Sequence, residues 1–249
     1  MASWNDPQPT RTGFGGAPGL NGDVARRDGA AVDQGLRSYM LSIYNYMASG
    51  VLLSGVVALL MFTSGYAAAM VGSPIMWLVI LSPLAIVLAM SFGQNRFGLP
   101  ALQAMFWAFA VLMGLSLSTI FLRYTGGSIA ATFFATAGAF AGLSLFGYTT
   151  KKSLSGMGTF LTMGVIGLLI AMVINIFLQS TALMWAISSL GVLIFAGLTA
   201  YDTQRLKQQY YHLQGSEFIG KAIVLGALTL YLDFINMFQF LLSFMGQRN

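Results

Sequence analysis

The sequence predicts an all-α polytopic membrane protein of seven transmembrane helices, on three observations. Of its 249 residues, 57% are hydrophobic and only 8% charged, and mean hydropathy is +0.75, whereas soluble domains carry roughly 25% charged residues. The apolar residues gather into seven runs, each close to the roughly 20 residues that a helix needs to cross a bilayer. The bases fall in alternate connections between those runs, the distribution that sets membrane topology.

Residues 1–35 are rich in Gly, Pro, Asp, Asn and Arg and hold no long apolar run. Such a segment buries too little surface to offset its ordering entropy, so a disordered tail is expected, without a secretory signal. Residues 36–249 are expected to form one seven-helix domain. The predicted spans are Tyr39–Thr63, Pro74–Phe92, Pro100–Leu122, Ile129–Tyr148, Gly156–Leu178, Leu183–Thr203 and Lys221–Phe244. Short connections make successive helices antiparallel. Pro83, mid-run in the second span, removes a backbone donor and predicts a kink. Gly138 and Gly142 in the fourth span, and Gly50, Ser54 and Gly55 in the first, are spaced for close helix approach.

With the N-terminus in the cytoplasm, that side holds Arg11, Arg26, Arg27, Arg37, Arg96, Lys151, Lys152, Arg205, Lys207 and Lys221, and the far side only Arg123 and Arg248. This bias predicts a cytoplasmic N-terminus and a C-terminus outside the cytoplasm. The net charge of +5 therefore reports topology, and no nucleic-acid partner is expected; the partner is the lipid bilayer. The absence of cysteine excludes disulfides, thiolate metal sites and cysteine nucleophiles. The one histidine, His212, leaves a multi-His metal site or a Ser-His dyad without members and is expected in a loop. No cofactor is expected.

The seventh span departs from uniform hydrophobicity. At 100° per residue, Thr229, Asp233, Asn236 and Ser243 fall within about 80° of one another on an otherwise apolar helix. In lipid such a stripe must face the bundle interior, which places this helix centrally or against a cavity. Asn175 in the fifth span is either a partner for the stripe or a helix–helix hydrogen-bonding residue. Asp202 and Asp233 are the two acids, of seven in the chain, that interrupt apolar runs. Carboxylates at membrane depth are costly and mark functional sites. Asp202 also has a structural reading, as an interfacial ion pair with Arg205 at i+3. Asp233 lies about 18 Å along the helix from Lys221, beyond the interface.

Ala-Tyr-Asp-Thr-Gln at 200–204 and Leu-Tyr-Leu-Asp-Phe-Ile-Asn-Met-Phe at 230–238 resemble the two signature segments of the Bax inhibitor-1 family. The resemblance extends through the seven-span layout and Asn-Ile-Phe at 175–177, from about residue 37 onward. It implies six helices around a central seventh. It also implies a pH-sensitive calcium leak channel, not an enzyme, in which Asp202 and Asp233 form a proton-sharing pair and Arg96 latches onto it. Gln-Asn-Arg-Phe-Gly around Arg96 is less basic than the family pattern, so Arg96 reads equally as a positive-inside anchor. Two close carboxylates titrate as one coupled unit. Ionised, they hold a guanidinium; protonated, they release it, so acid is expected to open the gate. Asp202 and Asp233 would also meet calcium as hard oxygen ligands, with water, Asn236 or carbonyls completing the usual six to eight. Members of the family are further described as acting on membrane proteases and regulatory proteins, which keeps a non-conducting regulator as the alternative. A bacterial inner membrane suits so short a chain.

Intramembrane aspartyl proteases also carry Tyr-Asp on a sixth span and Asp on a seventh. Here Asp233 follows Tyr-Leu where those enzymes have Gly-x-Gly, and no proline follows Pro100 to supply their Pro-Ala-Leu motif. Hydrolysis is therefore the least favoured reading.

Overall fold

The computed structural model describes the backbone of residues 20–249 and the side chains of residues 32–249. The chain divides into two units, Met1–Ser38 and Tyr39–Asn249. The described part of the first is helical from Leu20, within a helix running to Thr63. Of the expected tail, residues 1–19 lie outside the described residues. Residues 20–35 of that segment are helical, a helix in a span extending by one hydrogen bond for each further residue fixed.

Among the described residues, seven helices are long and apolar enough to cross a membrane: Val32–Thr63, Pro74–Gly93, Leu99–Arg123, Gly126–Thr149, Ser155–Leu178, Thr181–Leu213 and Ile219–Met245. The third breaks at Ser118–Thr119 before a last turn, Ile120–Arg123. A short helix, Tyr66–Met70, joins the first two spans. The sixth span runs ten residues past its expected end, so His212 lies in the last helical turn and not in a loop. Thr125 and Ser180 cap the fourth and sixth spans by accepting from Ser128 and Leu183 N–H groups, satisfying donors that a helix start leaves unpaired.

The seventh span is the central element. Of its most apolar window 61% is buried, against 11–28% in the other six. It packs against the third, fourth and sixth spans largely through aromatic edges: Phe109 on Tyr231 at 4.9 Å, Phe133 and Phe140 on Phe234 at 5.6 Å, and Phe195 stacked on Phe240 at 5.8 Å. Edge-on rings match positive rim to negative face. The outer spans turn large apolar side chains away from the protein, Phe92, Phe134, Phe160 and Leu78 among them, as expected of a surface that faces acyl chains.

Close approach uses other glycines than the spacing suggested. Nothing lies within 4 Å of where a Cβ would sit on Gly138, Gly142 or Gly55. Gly50 does pack, against the Phe106 and Tyr231 rings. The tight contacts are Gly114 on the Ser54 backbone, Gly147 on the Ala200 carbonyl, Gly158 on the Tyr201 ring and Gly191 on the Phe240 ring. A small-xxx-small pattern states where helices could approach; neighbours decide where they do.

Candidate functional site

The sixth and seventh spans pack antiparallel in a single register. Ser188 donates to Ser243 across 3.1 Å, Gly191 and Phe195 both meet Phe240, and Leu206 covers Gly226. Stepping forward along one helix is matched by stepping back along the other. Asp202 and Asp233 fall in this series as electrostatically interacting neighbours. Asp202 is 5% and Asp233 4% exposed. One oxygen of each, Asp202 Oδ1 and Asp233 Oδ2, is buried without a hydrogen-bond partner. Arg205 Nη2 approaches Asp202 Oδ1 to 3.2 Å as an ion pair, and the same guanidinium lies 5.9 Å from the Tyr201 ring centre. Asp202 thus pairs with Arg205 on its own helix and neighbours Asp233 across the helix seam.

Hydroxyl networks anchor the surrounding helices. Thr203 donates to Thr199 O at 2.8 Å. Its single proton is then committed, so Ser144 donates to Thr203 at 2.9 Å and Tyr44 to Ser144 at 2.6 Å, joining the first, fourth and sixth spans. Ser54 likewise donates to Ala110 O at 2.6 Å, which makes Tyr231 the donor in the 2.6 Å Tyr231–Ser54 bond. Gln204 accepts from Leu154 N at 2.8 Å and donates to Lys152 O at 2.9 Å, clamping the fourth-to-fifth connection. Lys207 donates to Tyr148 O at 2.8 Å.

Arg96 is not brought to the carboxyl pair. It lies exposed in the turn between the second and third spans, which pack on each other, and the guanidinium at Asp202 belongs to Arg205, one turn along the same helix. The polar stripe separates into parts. Thr229 and Asn236 each bond back to the carbonyl four residues earlier, at 3.1 and 2.8 Å. Asn236, Ser243 and Asn175 line one cavity of about 670 Å³ among the second, third, fifth, sixth and seventh spans, so Asn175 does share a space with the stripe. Its side-chain oxygen is also engaged, accepting from Ser180 N at 3.0 Å at the end of its helix. Ser188, Gln239 and Arg123 line the same cavity. Gln239 sits outside the 80° stripe and was not singled out by periodicity; its one signal is being polar and exposed on an otherwise buried helix. Among the described residues no three acidic or histidine side chains gather as a metal cluster. Two carboxyls offering an oxygen each fall short of a resident calcium site.

Comparison with known proteins places this geometry in context. Residues 36–249 match the family model described as inhibitor of apoptosis-promoting Bax1. The chain is 49% identical over 234 residues to an uncharacterized protein of Caulobacter vibrioides, covering 89% of this chain and 93% of that one. It is 44% identical over 227 residues to a protein of Rickettsia prowazekii, covering 87% and 92%. It is 42% identical over 218 residues to the Escherichia coli inner membrane protein YbhL, covering 86% and 93%. With seven spans, a buried seventh helix and a family match over its whole helical domain, the chain is an integral membrane protein and belongs to the Bax inhibitor-1 family.

Proposed function

We propose that the protein is a pH-sensitive calcium or cation leak channel, gated by Asp202 and Asp233. The observation that carries this reading is a pair of buried, interacting carboxyls brought into one register by the antiparallel sixth and seventh helices. A hydrogen bond between two carboxyls requires one proton between them. One proton, two carboxyls and the Arg205 guanidinium sum to neutrality, which suits a low-dielectric seam. A second proton removes the negative charge that holds Arg205, so acid frees the guanidinium from the carboxyl pair. In this scheme Arg205 takes the latch role that the family resemblance assigned to Arg96. Calcium is cargo, passing ionised oxygens and water in turn. The N-terminus lies in the cytoplasm and the C-terminus outside it, as the distribution of bases favours, in a membrane equivalent to that of the E. coli relative.

Purified protein in liposomes loaded with a calcium dye tests this. Wild type should leak several-fold faster at pH 6 than at pH 8. Asp202→Asn should leak at both, having lost its hold on Arg205, and Asp233→Asn should lose the pH dependence. PH-dependent leak that persists unchanged in both variants would overturn the gate. No flux from wild type at any pH would leave the non-conducting regulator as the better reading.

A further inference from the structure

We propose that the cavity beside Arg123 is a binding site for a small anionic group, a phosphate or carboxylate. Its volume of about 670 Å³ lies within the range of ligand pockets, and its walls combine apolar side chains with convergent polar ones: Asn175, Ser188, Asn236, Gln239 and Ser243. The only charged residue in its lining is Arg123. Asp202 and Asp233, the acids of the spans that wall it, are buried against each other and do not reach it.

A second guanidinium is held at the same rim. The last residues of the chain lie along the turn after Arg123: Thr125 N donates to Gln247 O and Asn249 N to Arg123 O, each at 3.0 Å, and Tyr124 pairs with Arg248 as an antiparallel bridge. This ladder fixes the Arg248 backbone across from Tyr124, with Arg248 Nη2 at 3.5 Å from Met184 Sδ, and Tyr124 and Met184 both line the cavity. Among the described residues neither guanidinium has a carboxylate partner, the one ion pair being Arg205 with Asp202. The Arg123 guanidinium on a cavity lined by hydroxyls and amides attracts an anion and repels a cation, and the Arg248 guanidinium at Met184 adds positive charge nearby. Arginine also matches the planar geometry of phosphate and carboxylate oxygens. The site stands whether or not anything passes the carboxyl pair; an occupying anion would also lower the barrier that the two arginines set to a cation from that side.

The anion is either free or the headgroup of a lipid whose tails lie between the spans. The full chain in neutral detergent separates these. Its thermal midpoint is measured with sodium phosphate against sodium chloride at equal ionic strength, and with phosphatidylglycerol against phosphatidylcholine. A ligand present at about ten times its Kd should raise the midpoint by about 3–6 °C. A rise with phosphate identifies a soluble anion; a rise with phosphatidylglycerol alone identifies a lipid headgroup. Either rise should vanish in Arg123→Gln/Arg248→Gln and survive in Arg123→Lys. The proposal is overturned if neither anion raises the wild-type midpoint, or if the rise is unaltered in the double glutamine variant.

Discussion

Asp202 and Asp233 carry the same functional group in different settings. Asp233 sits near the middle of its helix with no cation of its own nearby in sequence, so its interior position was legible as a chemical anomaly. Asp202 lay near a basic residue, and sequence alone left it between an interfacial ion pair and a buried site. Tyr231 shows what was not legible. It belongs to the segment that carries the family resemblance, yet its role, donating to Ser54 while the first and third spans pack on its ring, depends on residues more than a hundred positions away. An asymmetry follows. Ser54→Ala strands the buried Tyr231 hydroxyl and should cost about 1–3 kcal/mol, whereas Tyr231→Phe removes the donor itself and should cost about 1 kcal/mol. Reversible unfolding in mixed micelles measures both, and an equal or inverted order would show that Tyr231 finds another acceptor.

At the scale of the helix, periodicity gave direction without distance. The stripe of Thr229, Asp233, Asn236 and Ser243 shares about 80° of arc; Asp233 is buried and the other three are half-buried. Those residues nonetheless divide between a helix seam and a cavity, because azimuth does not say which neighbour stands opposite. The same limit misplaced the close-approach glycines. Gly138 and Gly142 had the expected spacing but face open space, whereas Gly191 lies under the Phe240 ring. Gly191→Leu should therefore wedge the sixth span from the seventh and cost about 1–3 kcal/mol or more, while Gly138→Leu should be close to neutral. Thermal midpoints of the two variants in one detergent compare them; a larger loss at Gly138 would contradict the packing described above.

For the molecule as a whole, the number of spans was legible because lipid offers no partner to backbone groups, so each apolar run must satisfy its hydrogen bonds as a helix; the end of the sixth, which continues past its apolar run to Leu213, was not. The orientation is testable through the absence of cysteine. Gln214→Cys, in the sixth-to-seventh turn, should react with a membrane-impermeant maleimide only after cells are opened, and Gln247→Cys should react in intact spheroplasts. The opposite pattern would invert the topology. The sequence by itself determined the class of protein, its seven spans, the interior place of the seventh and the two acids worth suspecting, because hydrophobicity and its period are local properties that the bilayer reads directly. Only the tertiary structure decided that Asp202 and Asp233 are buried as neighbours, that Arg205 and not Arg96 pairs with Asp202, and that the last residues of the chain lie along the turn after Arg123. Those facts follow from the register of antiparallel helices and the folding back of the last residues, which depend on how distant side chains fit together.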